Sequence, residues 1–158
     1  MNICVIVHSK TGNTLKLGNL FAEKLRQKGH SVDVTELRTD PPVDSGTVRH
    51  HPPFSVINLP DCSKYDALLV GGPVWAFSAS PVIYEAVKAL KDVSGKKVMP
   101  FATEGFPFSF MGGKQAIGLL TKTLAGKGAK VLSGKIVTSR NREKMMEKAA
   151  SEVLASFA

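Results

Sequence analysis

Residues 2–14 read Asn2-Ile3-Cys4-Val5-Ile6-Val7-His8-Ser9-Lys10-Thr11-Gly12-Asn13-Thr14, and the change of character after Val7 decides the fold. Asn2–Val7 is a short, continuous, β-branched run, which predicts a strand buried on both faces. Leu15, Leu17, Leu20, Phe21 and Leu25 then recur at three- and four-residue spacing ahead of Gly29. That spacing predicts an amphipathic helix over roughly residues 13–28. A buried strand running through a polar turn into a helix is the opening half of a βαβ unit.

The same alternation continues along the chain. Ser31–Leu37 alternates apolar and charged residues and predicts a strand nearer the sheet edge. Ala67–Val70 reads as a second buried strand that stops at Gly71-Gly72-Pro73, and Val82–Leu90 as a helix with Pro81 in its first turn. Lys97–Ala102 predicts a strand and Lys114–Leu124 a helix, opened by Gly112-Gly113. Lys130–Val137 predicts the last strand, and Arg142–Phe157 the last helix. Only residues 38–64 break the rhythm: five of the nine prolines lie there, which predicts a long irregular connection. Five strands and four helices in this order imply an α/β fold, with a doubly wound parallel sheet and helices on both faces. Ligands of such sheets bind outside the carboxyl ends of the strands. The residues after Val7, Val70 and Ala102 are therefore the ones to interrogate.

Length and composition agree. The 158 residues suit a single domain over 1–158, and 43 % hydrophobic residues suffice for its core. Two cysteines are too few for a disulfide framework and lack metal-ligand spacing. Cys4 is expected in the core, and Cys62, in a polar stretch, at the surface. No basic leader opens the chain, and no apolar run approaches the ~18 residues of a membrane span, so a cytoplasmic protein without membrane insertion is expected. The net charge of +8 is the odd feature. Its cations are dispersed, which speaks against a nucleic-acid partner. His8, His30 and His50-His51 read as isolated, and no hydrolytic triad, carboxylate pair or metal site emerges.

Ser9-Lys10-Thr11-Gly12-Asn13-Thr14 carries the first functional signal. A helix start offers unpaired N–H groups and a positive dipole end, which suit a phosphate. Ser9, Thr11 and Thr14 can add hydroxyls, and Gly12 allows close backbone approach. A single helix cap would account for one such residue, not five of six. Thr14 is followed by Leu15, so no Walker A ending is present, and the dinucleotide glycine fingerprint is absent. A Cys-x5-Arg phosphatase loop counted from Cys4 would need arginine where Lys10 stands.

On these residues the chain resembles the flavodoxin family, whose S/T-x-T-G-N-T phosphate loop is matched at every fixed position of Ser9–Thr14. The resemblance implies a sheet of order 2-1-3-4-5 and non-covalent FMN, with its phosphate held in this loop. It also implies that Pro73, Val74, Trp75, Ala76 and Phe77, after the third strand, flank the flavin ring. Trp75, the only tryptophan, is expected to offer an aromatic face. Phe77 reads equally as a ring contact or as cover for the sheet edge. Thr103, Glu104, Gly105 and Phe106 are expected at the ring's pyrimidine edge, with Phe108 and Phe110 as lesser candidates. Glu104 itself reads as a surface carboxylate rather than a catalytic group.

Two departures from the family qualify that expectation. Its electron carriers are typically acidic, and this chain is basic. If Lys10, Lys64 or Lys114 lies near the flavin, the couple is expected to be less negative, by about 59 mV for each tenfold preference for the reduced form. Family members that stabilise the one-electron-reduced flavin often use a glycine beside the ring, and Val74–Ser80 contains none. Non-glycine residues avoid positive φ, so two-electron chemistry is expected. The implied function is electron transfer through FMN; the alternative is an NAD(P)H-dependent FMN or quinone reductase on the same scaffold. The expected partner is a redox protein or small electron acceptor bearing negative charge, with the chain a monomer or homodimer.

Overall fold

The computed structural model describes residues 1–44 and 51–158. His50, one half of the histidine pair noted above, lies outside them. β1 (Asn2–Val7) leads into α1 (Asn13–Gln27), followed by β2 (Ser31–Glu36), β3 (Thr39–Asp40) and β4 (Ser55–Val56). β5 (Ala67–Trp75), β6 (Ser78–Ala79), α2 (Pro81–Ala89), β7 (Lys97–Thr103) and α3 (Gly113–Gly126) come next. β8 (Lys130–Val131), β9 (Lys135–Val137) and α4 (Arg142–Ser156) complete the chain. No helix among the described residues is long and apolar enough to cross a membrane.

β1 is central because both of its faces are apolar. Ile3, Val5 and Val7 point into a core with Leu17, Phe21 and Leu25 of α1 and Met146, Ala150 and Val153 of α4. Cys4 and Ile6 point into the opposite core, with Val82, Ile83 and Val87 of α2 and Ala116, Leu120 and Leu124 of α3. A strand buried on both faces requires helices on both sides. The main sheet runs β2-β1-β5-β7-β8, with β9 also on β7, and the pairs along this path are parallel. In strand sequence this is the expected order 2-1-3-4-5.

Four expectations need correction. The third strand does not stop at Val70: β5 continues through Gly71-Gly72-Pro73 to Trp75 and folds back on β6 as an antiparallel hairpin. The glycines serve packing there, since a Cβ on Gly71 would lie 2.2 Å from the Phe101 ring. The last strand is two short pieces, because Ser133-Gly134 between them are poor strand formers. Within residues 38–64, β3 and β4 form a small antiparallel pair. Asn58 clamps it: its Oδ1 accepts from Arg38 N at 2.7 Å and its Nδ2 donates to Glu36 O at 2.8 Å. Finally, Cys62 is buried, only 3 % exposed, because that segment folds over the α2 side of the core with Leu37 and Val43.

Gly71→Ala tests the close packing of β5 on β7. Phe101 is fully buried and already meets Phe21 edge-on at 5.2 Å, so its ring cannot swing away freely. Denaturant unfolding is expected to show a loss of about 1–3 kcal/mol with an unchanged m-value.

Candidate functional site

Three chain segments leave the carboxyl ends of β1, β5 and β7 side by side and enclose a pocket of about 410 Å3. Thr11 and Asn13 come from the first, Pro73, Val74 and Trp75 from the second, and Thr103, Glu104 and Gly105 from the third. Ser139 and Arg142 close the remaining side. The volume falls within the range of roughly 300–1,000 Å3 usual for small-molecule sites.

The first segment is held open by its own side chains. Gly12, the N-cap of α1, has φ +96°, a left-handed conformation that glycine adopts without strain. Ser9 Oγ accepts from Gly12 N at 3.1 Å and from Leu15 N at 3.3 Å, doing the work of a side-chain cap. The Thr14 and Thr103 hydroxyls meet at 2.6 Å, a buried bond that ties this turn to the end of β7. Asn13 Nδ2 donates to Thr11 Oγ1 at 3.3 Å. The backbone N–H groups of Asn13 and Thr14 have no acceptor among the described residues. Of the residues singled out here, Thr11 and Asn13 line the pocket. Ser9, Gly12 and Thr14 shape the turn, and Lys10 is exposed on it.

The second segment is a hairpin whose two tip residues, Ala76 and Phe77, have φ +49° and +64°. Two consecutive positive φ values match the twist of tight hairpins, but asparagine and glycine normally supply them. The absence of glycine therefore does not keep this tip out of the left-handed region. A tip without glycine is thus no ground for expecting two-electron chemistry. Strain of about 1–3 kcal/mol per residue is held here by Ser80 N, which donates to Pro73 O at 3.1 Å, and by tight packing on Gly112. Phe77 stacks on Phe106, with centroids 5.4 Å apart and planes 8° from parallel. Ala76, Phe77 and Phe106 are exposed and do not line the pocket.

Glu104 overturns its expected place at the surface. Only 3 % of it is exposed, and neither carboxyl oxygen has a hydrogen-bond partner among the described residues. Burial pushes its pKa up; the Gly113 N–H at the start of α3 pulls the other way without a well-formed bond. Arg142, which local sequence marks only as the start of the last helix, lies beside it. Its Nη2 donates to Glu104 O at 3.0 Å, while its buried Nε has no partner. A cation in the first turn of α4 opposes the helix dipole.

His8 is the other residue missed. It is 7 % exposed, its Nδ1 lies 2.7 Å from Ser80 Oγ, and its ring meets Trp75 edge-on at 5.0 Å. Burial first, then the Lys10 charge, pushes its pKa down to about 4. No sequence signal marks it, because Ser80 and Trp75 are remote in the chain. Lys64, by contrast, precedes β5 at the opposite end of the sheet.

These two buried groups give opposite pH dependences. The folded chain resists protonating His8, so this contribution to stability is full above pH 6.5 and lost as pH falls toward about 4. His8→Asn is expected to remove about 3 kcal/mol of that slope in denaturant titrations at stepped pH. Glu104 has a raised folded pKa, so its effect runs the other way, with stability falling as pH rises. Glu104→Gln is therefore expected to stabilise by about 1–3 kcal/mol at pH 7 and much less at pH 4.

Comparison with known proteins agrees with this architecture. The Bacillus cereus flavodoxin 1 structure, in its oxidised form, is 21 % identical, with 98 % of this chain and 95 % of that chain covered and a TM-score of 0.69. For flavodoxin 2 of the same organism the values are 19 %, 98 %, 97 % and 0.71. Rubredoxin:oxygen oxidoreductase from Desulfovibrio gigas is 16 % identical with a TM-score of 0.59, and 99 % of this chain covers 37 % of that one. These likenesses show the fold. No curated protein sequence matches the chain. A flavodoxin family model matches residues 31–151, and the chain belongs to the flavodoxin family, whose cofactor is FMN.

Proposed function

We propose that the protein holds FMN non-covalently at the head of its sheet and transfers electrons through it. The observation that carries this reading is the set of unmatched polar groups around one pocket. The free N–H groups of Asn13 and Thr14 stand in the first turn, whose Thr11 and Asn13 line the pocket, and Arg142, whose Nε has no partner, lines its remaining side. Those groups fit FMN. The helix N-terminus and the Thr11 hydroxyl suit its phosphate. The Arg142 guanidinium, which lines the pocket, suits the carbonyl oxygens of the pyrimidine edge, while the Glu104 carboxyl lies packed against Gly113 at the start of α3. Trp75 offers an aromatic face, oriented by the edge of His8.

Bound FMN supplies the chemistry, taking up and releasing electrons. The chain's own residues bind, orient and exclude water. Ser9 and the Thr14–Thr103 bond fix the turn before any ligand arrives. Neutral His8 keeps Ser80 in place as the N-cap of α2, whose Ile83 N–H reaches Ser80 Oγ at 3.4 Å. Lys10, Lys114 and Arg142 bring positive charge to this end of the sheet, which favours a less negative couple than an acidic carrier has.

The +8 charge favours a second reading, a reductase that takes electrons from NAD(P)H for a flavin or quinone. Anaerobic mixing with NADPH separates the two: rapid bleaching of the flavin marks a reductase, and no reaction marks a carrier.

Titration of the purified protein with FMN is expected to produce a protein-bound flavin spectrum with quenched fluorescence. Thr11→Ala is expected to weaken binding by up to about tenfold, the effect of one lost hydrogen bond. Riboflavin, which lacks the phosphate, is expected to bind about a hundredfold more weakly or worse. Equal affinity for riboflavin and FMN would refute the role given to Ser9–Thr14.

A further inference from the structure

Segment 138–142 separates two cavities. Ser139 and Arg142 line the pocket described above, while Thr138, Arg140 and Asn141 line a groove of about 450 Å3 on the other side. Phe108, Ser109, Thr138, Arg140, Lys144 and Lys148 give this groove its chemistry, and no acidic residue lines it.

The charges of α4 are sorted by face. Glu143 and Glu147 turn toward α1 and pair with Lys16 at 2.7 Å and Lys24 at 3.8 Å. Lys144 and Lys148, one turn apart, line the groove, and Arg140 stands just ahead of the helix. Among the described residues Arg140 and Lys144 form no ion pair. Lys148 faces Glu152 on its own side of the helix, and its charge helps to hold that carboxyl ionised, although Lys135 makes the direct pair at 2.7 Å. Like charges one turn apart repel, and cations at a helix start oppose its dipole. Arg140 and Lys144, which form no ion pair, stand together with Lys148 in a groove that no acid lines, and this calls for an anion from outside. The groove also has an aromatic wall. Phe108 stacks on Phe110 at 5.5 Å and 7°, yet remains 44 % exposed.

We propose that this groove is a second ligand site, for a nucleotide phosphate. The phosphate sits among Arg140, Lys144 and Lys148, the base lies against Phe108, and the Ser109 hydroxyl faces the sugar, while the buried Thr138, which donates to Met145 Sδ, forms the floor. A flat acidic protein surface would use the cations but not the concavity or the ring. The groove is separate from the FMN pocket, so the inference stands whether or not FMN binds. Its ligand would lie one chain segment away from the flavin.

The test is titration of the 15N-labelled, FMN-loaded protein with AMP, following amide shifts residue by residue. The expected result is saturable shifts at residues 107–109 and 138–148, with Ser9–Thr14 unmoved. Adenosine and inorganic phosphate are each expected to bind about tenfold more weakly than AMP. The Arg140→Ala/Lys144→Ala double variant is expected to lose about tenfold or more in AMP affinity while keeping its circular dichroism and its flavin spectrum. If the protein takes no FMN, the unloaded protein is titrated, and the same groove shifts are expected. Shifts confined to residues 9–14, no saturation at millimolar AMP, or unchanged affinity in the double variant would overturn the proposal. Phosphate binding as tightly as AMP would reduce the groove to a simple anion patch and overturn it too. So would binding of a glutamate-rich peptide in place of AMP, which would assign the face to an acidic protein.

Discussion

Everything at the head of this sheet depends on β1 being apolar on both sides. Its alternate residues enter two separate cores, and neither core is complete without the helices that the strand's own neighbours supply. A strand so enclosed cannot slip in register, because a one-residue shift would exchange the contents of the two cores. Its carboxyl end therefore lies at a fixed height against β5 and β7. That fixed height brings three turns remote in sequence to one pocket. The Thr14–Thr103 bond then links the first turn to the third through two buried hydroxyls.

The legibility of this protein followed the range of the interactions involved. β1, α1 and the turn between them could be read directly, because periodicity and turn chemistry are local properties. The sheet order could be inferred because connections in such folds obey a handed rule. Arg142 could not be read as part of the site, since its relation to Glu104 spans 38 positions and leaves no local pattern. Glu104 looked like a surface group because its burial depends on α3 folding over it. His8 looked isolated because Ser80 and Trp75 reach it only through the β1–β5 pairing. At Gly71-Gly72-Pro73 the residue types point to a turn, yet tertiary packing overrides them. The glycines there leave room for Phe101 and Ile83 rather than for a bend.

The charge, which first suggested diffuse solubility, is organised at least on α4. Acids on one face pair with lysines of α1, while Arg140 and Lys144 on the other side form no ion pair among the described residues. Such sorting escapes a count of charges along the chain, since residues 143, 144, 147 and 148 alternate in sign within two turns. Only the rotation of the helix separates them. The stacked phenylalanine pairs at the same end follow a similar logic: exposed rings are tolerated where each shields one face of another.

The double acceptor role of Ser9 has a kinetic side. By holding Gly12 N and Leu15 N, its hydroxyl oxygen gives the turn its final shape with no ligand present. The remaining N–H groups then wait in a finished cradle rather than being gathered by the incoming anion. Association through such a cradle requires little ordering of the chain. Its speed should be governed by diffusion and by the attraction between a basic surface and a negatively charged ligand, so it should slow as salt screens that attraction.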